Sequence, residues 1–168
     1  MRLRWYDLTE AGDDLLGTAL LRYVTSVDLP VPPEEAWAAL TAQDALVSWS
    51  ALVTGLRWTS PRPFGVGTTR EVTVLWVVGA RERYYRWDTG RRKTFTAVNT
   101  TVPGLRRLAE DYLVEPTLAG SRFVWTLAVE PRPALLPLLK LAGPLIGWTL
   151  RRVAVGLRSQ VPVPWPPA

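Results

Sequence analysis

The stretch ARERYYRWDTGRRKTF, Ala80 to Phe95, packs five arginines, one lysine, two tyrosines, a tryptophan and a phenylalanine into sixteen residues. It admits two readings: a strip of cations and stacking rings for nucleic acid, or a hairpin whose rings face an interior. Strand alternation sorts its first half into two faces. One carries Arg81, Arg83, Tyr85 and Trp87; the other carries Glu82, Tyr84, Arg86 and Asp88. Neither is uniformly apolar, so which one points inward stays open. Asp88-Thr89-Gly90 is a hairpin turn, with Arg91, Arg92 and Lys93 at its exit. A nucleic-acid strand would need a continuous basic groove or the glycine–aromatic spacing of a ribonucleoprotein motif. RYYRW has neither, and Glu82 and Asp88 interrupt its charge. The stretch reads as a solvated hairpin with some rings turned inward, and no nucleic-acid partner is expected.

Around this hairpin, strands are predicted near Leu52–Thr59, Thr68–Val78, Arg81–Asp88, Lys93–Thr101, Arg106–Glu115 and Arg122–Glu130. The breaks between them, SPRPFGVG, GA, DTGR, VPG and LAGS, are rich in turn residues, and such short connections favour antiparallel neighbours. Upstream, TALLRYVTSVDLP mixes β-branched and aromatic residues up to Pro30 and predicts a first strand. PPEEAWAAL then places proline and two glutamates at a first helical turn, with Ala36, Trp37 and Leu40 at helical spacing. A second short helix is expected from Asp44, and another near the front, where Asp7 and Glu10 have capping-box spacing. Downstream, Leu135, Leu138, Leu139, Ala142, Ile146, Leu150, Val153 and Leu157 recur in steps of three or four and predict a helix from about Pro137 to Val161. Gly143-Pro144 is expected to kink or split it.

Composition narrows the chemistry. The 168 residues suit one domain, taken as 19–161, with an extension over 1–18 and a Pro-rich tail over 162–168. There is no histidine and no cysteine, which removes disulfides, thiol nucleophiles, Cys/His metal sites and His-based catalytic pairs. The net charge of +5 rests almost wholly on arginine and reads as coding bias rather than as a basic binding surface. The opening MRLRWYDLTE carries charges throughout, unlike a secretory signal, so a cytoplasmic location is expected. Ala134 to Leu150 is apolar over seventeen residues, the bottom of the membrane-spanning range, but contains Pro137, Lys140 and Pro144. It reads as a buried core helix, with membrane contact or a second subunit as the secondary reading; monomer and homodimer both stay open.

In this order the chain resembles the START/SRPBCC, or helix-grip, superfamily, in its polyketide cyclase/dehydrase and lipid-transport branch. The resemblance lies in VDLPVPPEEAWAAL (Val27–Leu40), LVSW (Leu46–Trp49), ERYYRWDTGRRKTF (Glu82–Phe95) and YLVEPTLAGSRFVWTLAVEP (Tyr112–Pro131), and covers roughly Ala19 to Gln160. It implies an α+β fold: a curved antiparallel sheet of about seven strands wrapped around a long C-terminal helix, with two short helices after the first strand. It also implies a pocket between sheet and helix for a hydrophobic or amphipathic small molecule. Members include lipid and sterol carriers, hormone receptors and polyketide cyclases, and no cofactor or metal is expected here.

Trp49, Trp58, Trp76, Tyr84, Tyr112, Phe123, Trp125 and Trp148 are candidates for the inner surface, with ordinary core packing as the alternative for each ring. Phe123, Trp125, Leu127 and Val129 form the larger alternating face of their strand, which is expected to point inward. Glu82 shares a face with Tyr84. If buried, Glu82 would act as acid, base or hydroxyl anchor; if exposed, it would pair with a neighbouring arginine. One of Glu110 and Asp111 points inward. Carrier or sensor, cofactor-independent cyclase or dehydratase working through Glu82 and Tyr84, and interaction module with a collapsed pocket are the three functional expectations.

Overall fold

A computed structural model describes residues 4–162. Its elements are β1 (Tyr6–Asp7), α1 (Asp13–Thr18), β2 (Leu21–Leu29), α2 (Pro33–Leu40), β3 (Val53–Trp58), β4 (Thr69–Val74), β5 (Val78–Asp88), β6 (Arg92–Thr100), β7 (Leu105–Thr117), β8 (Gly120–Pro131) and α3 (Leu136–Gly156). Six strands follow one another as an antiparallel meander, and β2 closes the far edge, giving the order β2-β8-β7-β6-β5-β4-β3. β1 pairs with β6 at Asn99 and Thr100, beyond the residues that β7 covers. The curved sheet and long C-terminal helix make this the helix-grip α+β fold.

Local chemistry accounts for most boundaries. Pro33 opens α2, Glu34 and Glu35 sit where the helix dipole favours acids, and Ala36, Trp37 and Leu40 are buried against the sheet. On β8, Phe123, Trp125, Leu127 and Val129 are all buried on the inner face. The outer face at Ala109 and Ala128 is covered by Ala11 and Leu15, so residues before Leu21 form a second small core. The outward arginines of the opening hairpin meet carboxylates: Arg81 meets Glu71, Arg83 meets Glu10 and Arg86 meets Asp13.

Four local expectations are corrected. Asp7 accepts a hydrogen bond from Asn99 instead of capping a helix, and α1 begins only after Gly12. The expected helix from Asp44 is a run of turns; Ser48 N–H donates to Asp44 O, but Leu46 takes φ 71°, which an α-helix cannot contain. The predicted strand Thr68–Val78 is two strands, with the turn at Leu75–Val77 and not at Gly79-Ala80. Leu75 and Trp76 adopt φ 50° and 65°, and their amides are held by Leu52 O and Thr54 Oγ1. Gly79 and Ala80 lie within β5, paired with Thr73 and Thr100, and a Cβ on Gly79 would lie 2.7 Å from the Trp5 ring. Finally, α3 is not split at Pro144: it runs continuously from Leu136 to Gly156, with no N–H at Pro144 to bond the carbonyl of Lys140, an exposed residue.

The helix is also not a buried core helix. Only Leu150, Val153 and Ala154 of α3 are buried, followed by Leu157. The C-terminal end is pressed onto the chain before β3: a Cβ on Gly156 would lie 1.7 Å from Trp49 O, so only glycine fits. The tail beyond Pro162 lies outside the described residues.

Candidate ligand cavity and its polar boundary

The inner face of the sheet divides into two halves. Under α2 it is filled by rings. Trp58 stacks on Phe64 at 4.2 Å, Tyr84 meets Phe95 at 4.9 Å and Trp87 at 5.0 Å, and Phe95, Tyr112 and Phe123 follow edge to face at 5.3 Å each. A bulge between Tyr84 and Arg86 carries Trp87 to this side, against Trp37. Under α3 the face is hollow. A cavity of about 350 Å³ lies between helix and sheet, lined mainly by aliphatic side chains such as Val72, Val74, Leu105, Leu108, Leu127 and Leu150.

Polar groups mark the boundary between the halves. Arg70 is 1% exposed, and its Nε donates to Glu82 Oε2 at 2.5 Å. Its guanidinium also sits over the Phe95 ring at 4.6 Å, while Nη1 and Nη2 have no hydrogen-bond partner. Burial raises Glu82 above the ordinary carboxylate range, opposed by Arg70 and Lys93; burial works to lower Arg70, but Glu82, Tyr84 and Tyr112 together hold it well above its ordinary value. Glu110 faces the cavity and accepts a hydrogen bond from Trp125 Nε1 at 2.8 Å. Burial, aided by the Glu82 carboxylate, pushes it up to about 8. Its neighbour Asp111 points to the opposite face, where Arg92 and Thr94 donate to it. The Tyr112 hydroxyl is buried without a partner, and burial and Glu110 raise its pKa well above the usual value.

Behind this boundary stands Lys93, 0% exposed. Its Nζ donates to the carbonyl of Leu40 at 2.5 Å, satisfying the end of α2, and rings of Tyr112, Tyr84 and Trp87 lie at 5.2 to 5.6 Å. Burial pulls its pKa well below the usual lysine value. Lys93 is thus a buried strut, not a solvated turn residue. Arg70 is not among the candidates that the sequence offers. The usable signal for both was alternation: Arg70 shares a face with Val72 and Val74, and Lys93 with Phe95 and Ala97.

The cavity wall includes Glu82, Tyr112 and Trp125. Trp49, Trp58, Tyr84 and Phe123 are buried in the ring-filled half and do not line it. Trp76 and Trp148 are corrected outright: Trp76, on the β4–β5 turn, is 75% exposed, and Trp148, on the outer side of α3, is 56% exposed. Tyr84 OH does not reach the cavity, so the acid–base pair pictured for Glu82 and Tyr84 is not assembled there. Glu110 is the carboxyl free of an arginine at the wall. Among the described residues no cluster of carboxylates is placed to hold a metal ion.

Comparison with known proteins agrees with this geometry. Residues 21–161 match the family described as polyketide cyclase / dehydrase and lipid transport. An uncharacterised protein of Mycobacterium tuberculosis (strain H37Rv) is 31% identical over 153 residues, covering 91% of this chain and 92% of that one. Among solved structures, TTHA0849 from Thermus thermophilus superposes with a TM-score of 0.70 at 21% identity, over 83% of this chain and 95% of that chain. A START superfamily protein from Mycobacterium smegmatis gives 0.67 at 15% identity, over 83% and 96%. At these identities the structures speak for the fold.

Proposed function

The chain belongs to the polyketide cyclase/dehydrase and lipid transport family, and on that premise we propose that it binds an amphipathic small molecule in the cavity under α3, as a carrier or sensor. The observation that carries this reading is the asymmetry of the wall: aliphatic side chains over most of it, and one end bearing Arg70, Glu82 and Glu110. Sites of this kind bury an apolar body and orient it through a few polar groups, and about 350 Å³ is within the usual range. The unpartnered Arg70 Nη atoms and Tyr112 hydroxyl supply hydrogen bonds for a ligand oxygen at that end.

Native mass spectrometry of gently purified protein, set against the denatured sample, tests this. A discrete extra mass that vanishes on denaturation, and is absent from Val72→Phe, is the expected result. A clean apo mass, with no rise in melting temperature on adding fatty acids, sterols or aromatic polyketides, would sink it.

A second reading, a cofactor-independent cyclase or dehydratase, is favoured by Glu110 alone. A cavity-facing carboxyl whose pKa is near 8 can give or take a proton at neutral pH. Turnover of a polyketide-like substrate that is lost in Glu110→Gln while binding persists would select this reading over the carrier.

A further inference from the structure

We propose that the rim of the cavity docks on the surface of an anionic lipid bilayer, with α3 lying along the interface and the β4–β5 turn inserted beside it. The docking surface stands on its own geometry and does not require the ligand reading above.

Two exposed apolar groups make up the rim. On the outer side of α3, Leu138, Leu141, Leu145, Trp148 and Val155 follow one another at heptad spacing and are 44 to 81% exposed, with Arg152 in the same stripe. At the β4–β5 turn, Leu75, Trp76, Val77 and Val78 are 41 to 75% exposed. The two groups flank one opening: Val74 and Val78 line the cavity from the strand side, and Leu145 and Ile146 from the helix side. The turn is held outward, because Leu52 O and Thr54 Oγ1 take its two amides. Leu52 also borders a surface groove with Trp148 and Arg152, which joins the turn to the helix.

Charge selects the occupant. Lys140, Arg151, Arg152 and Arg158 are exposed, and none lies in an ion pair among the described residues. From Pro131 to Ala168 the sequence contains no Asp or Glu, and from Val72 to Arg81 it contains none either. A second copy of this surface would set these cations against one another with no carboxylate to answer them. An anionic membrane meets both the cations and the Leu and Trp side chains, the combination that fits an interfacial helix. The stretch Pro133–Gln160 is long and apolar enough to span a bilayer by length and composition. Its inner side, however, is the cavity wall and packs on β2, so it lies on the membrane and does not cross it.

Flotation of the full chain with phosphatidylcholine vesicles, with and without phosphatidylglycerol, tests the proposal. Binding should require the anionic lipid and weaken at high salt. Leu138→Glu/Leu141→Glu should reduce it at least about 10-fold, and Lys140→Glu/Arg152→Glu about 25-fold or more, since each basic side chain contributes a factor of about five. All four positions are exposed, so circular dichroism of the variants should match the parent. The proposal fails if the protein ignores anionic vesicles, if it binds neutral vesicles equally, or if Leu138→Glu/Leu141→Glu floats like the parent. It also fails if sedimentation reveals a dimer that Leu138→Glu/Leu141→Glu dissociates. A protein that retains a cavity ligand by native mass spectrometry yet ignores vesicles overturns the docking surface alone.

Discussion

The same strands build a solid half under α2 and a hollow half under α3. β5 contributes Tyr84 and Trp87 to the first and Ala80 and Glu82 to the second; β6 contributes Phe95 and Thr100, and β8 contributes Phe123 and Leu127. Curvature is shared, so the difference lies in side-chain reach. Rings from neighbouring strands meet one another, and Trp87 meets Trp37, at about 5 to 6 Å. Valine, alanine and threonine project too little to meet a helix that crosses above them. The hollow half carries Val72, Val74, Val78, Ala80, Thr100 and Val102 where the solid half carries rings. The polar row of Arg70, Glu82 and Glu110 stands where one filling gives way to the other.

The comparison can be broken at that row. Arg70→Met alone leaves Glu82 buried without its partner and should lower stability by about 3–5 kcal/mol, read by urea denaturation. Arg70→Met/Glu82→Leu should recover most of that loss. Equal damage in the single and double variants would make the row a packing feature and not an electrostatic one.

A paired truncation then sharpens it. Leu40→Ala removes a 0% exposed side chain from the solid half and should cost about 4 kcal/mol. Leu105→Ala, at the cavity wall, should cost about 2 kcal/mol, because part of the Leu105 surface already faces a void and loses fewer contacts. Equal losses would mean that the two halves are packed alike.

The smallest effect is in pH. Glu110 titrates near 8 when folded against 4.5 ordinarily, so between these values the native state keeps a proton that the unfolded chain has lost. Its stabilisation is complete below pH 4.5 and is lost as pH rises through 8. Lys93 acts with the opposite sign: its lowered folded pKa penalises folding at low pH, and relief comes as pH rises toward 10.5. Glu110→Gln should therefore flatten the decline in melting temperature between pH 5 and pH 8. An unchanged slope would place the Glu110 carboxyl in contact with solvent.

The solid half was more legible in the sequence than the hollow one, for a physical reason. Alternation on β8 and the proline-glutamate opening of α2 are short-range patterns, and both elements stand as those patterns indicate. The order of the meander followed from short connections, whereas the place of β2 beside β8 is a long-range pairing that they do not indicate. The inward face of β5 could not be read, because Trp87 changes sides at a bulge set by the partner strand. Trp76 was misplaced because its turn has no glycine, proline or asparagine; two side-chain and backbone acceptors from the segment before β4 hold it instead. Arg70 and Lys93 were hidden by their type. A cation on a strand ordinarily faces water, and only the apolar residues two positions away indicate otherwise.

Gly156 ties the last turns of α3 to the backbone at Trp49, while no residue of the helix before Leu150 is buried. The helix is a lever with its fulcrum at one end. Leu138 lies about 27 Å along it, at 1.5 Å per residue, so a tilt of about 10° moves that end by about 5 Å over this length and barely disturbs the fulcrum. The volume under α3 is then coupled to the contacts that Leu136, Leu139 and Ile146 make with the core, and a tilt that enlarges it must part them first.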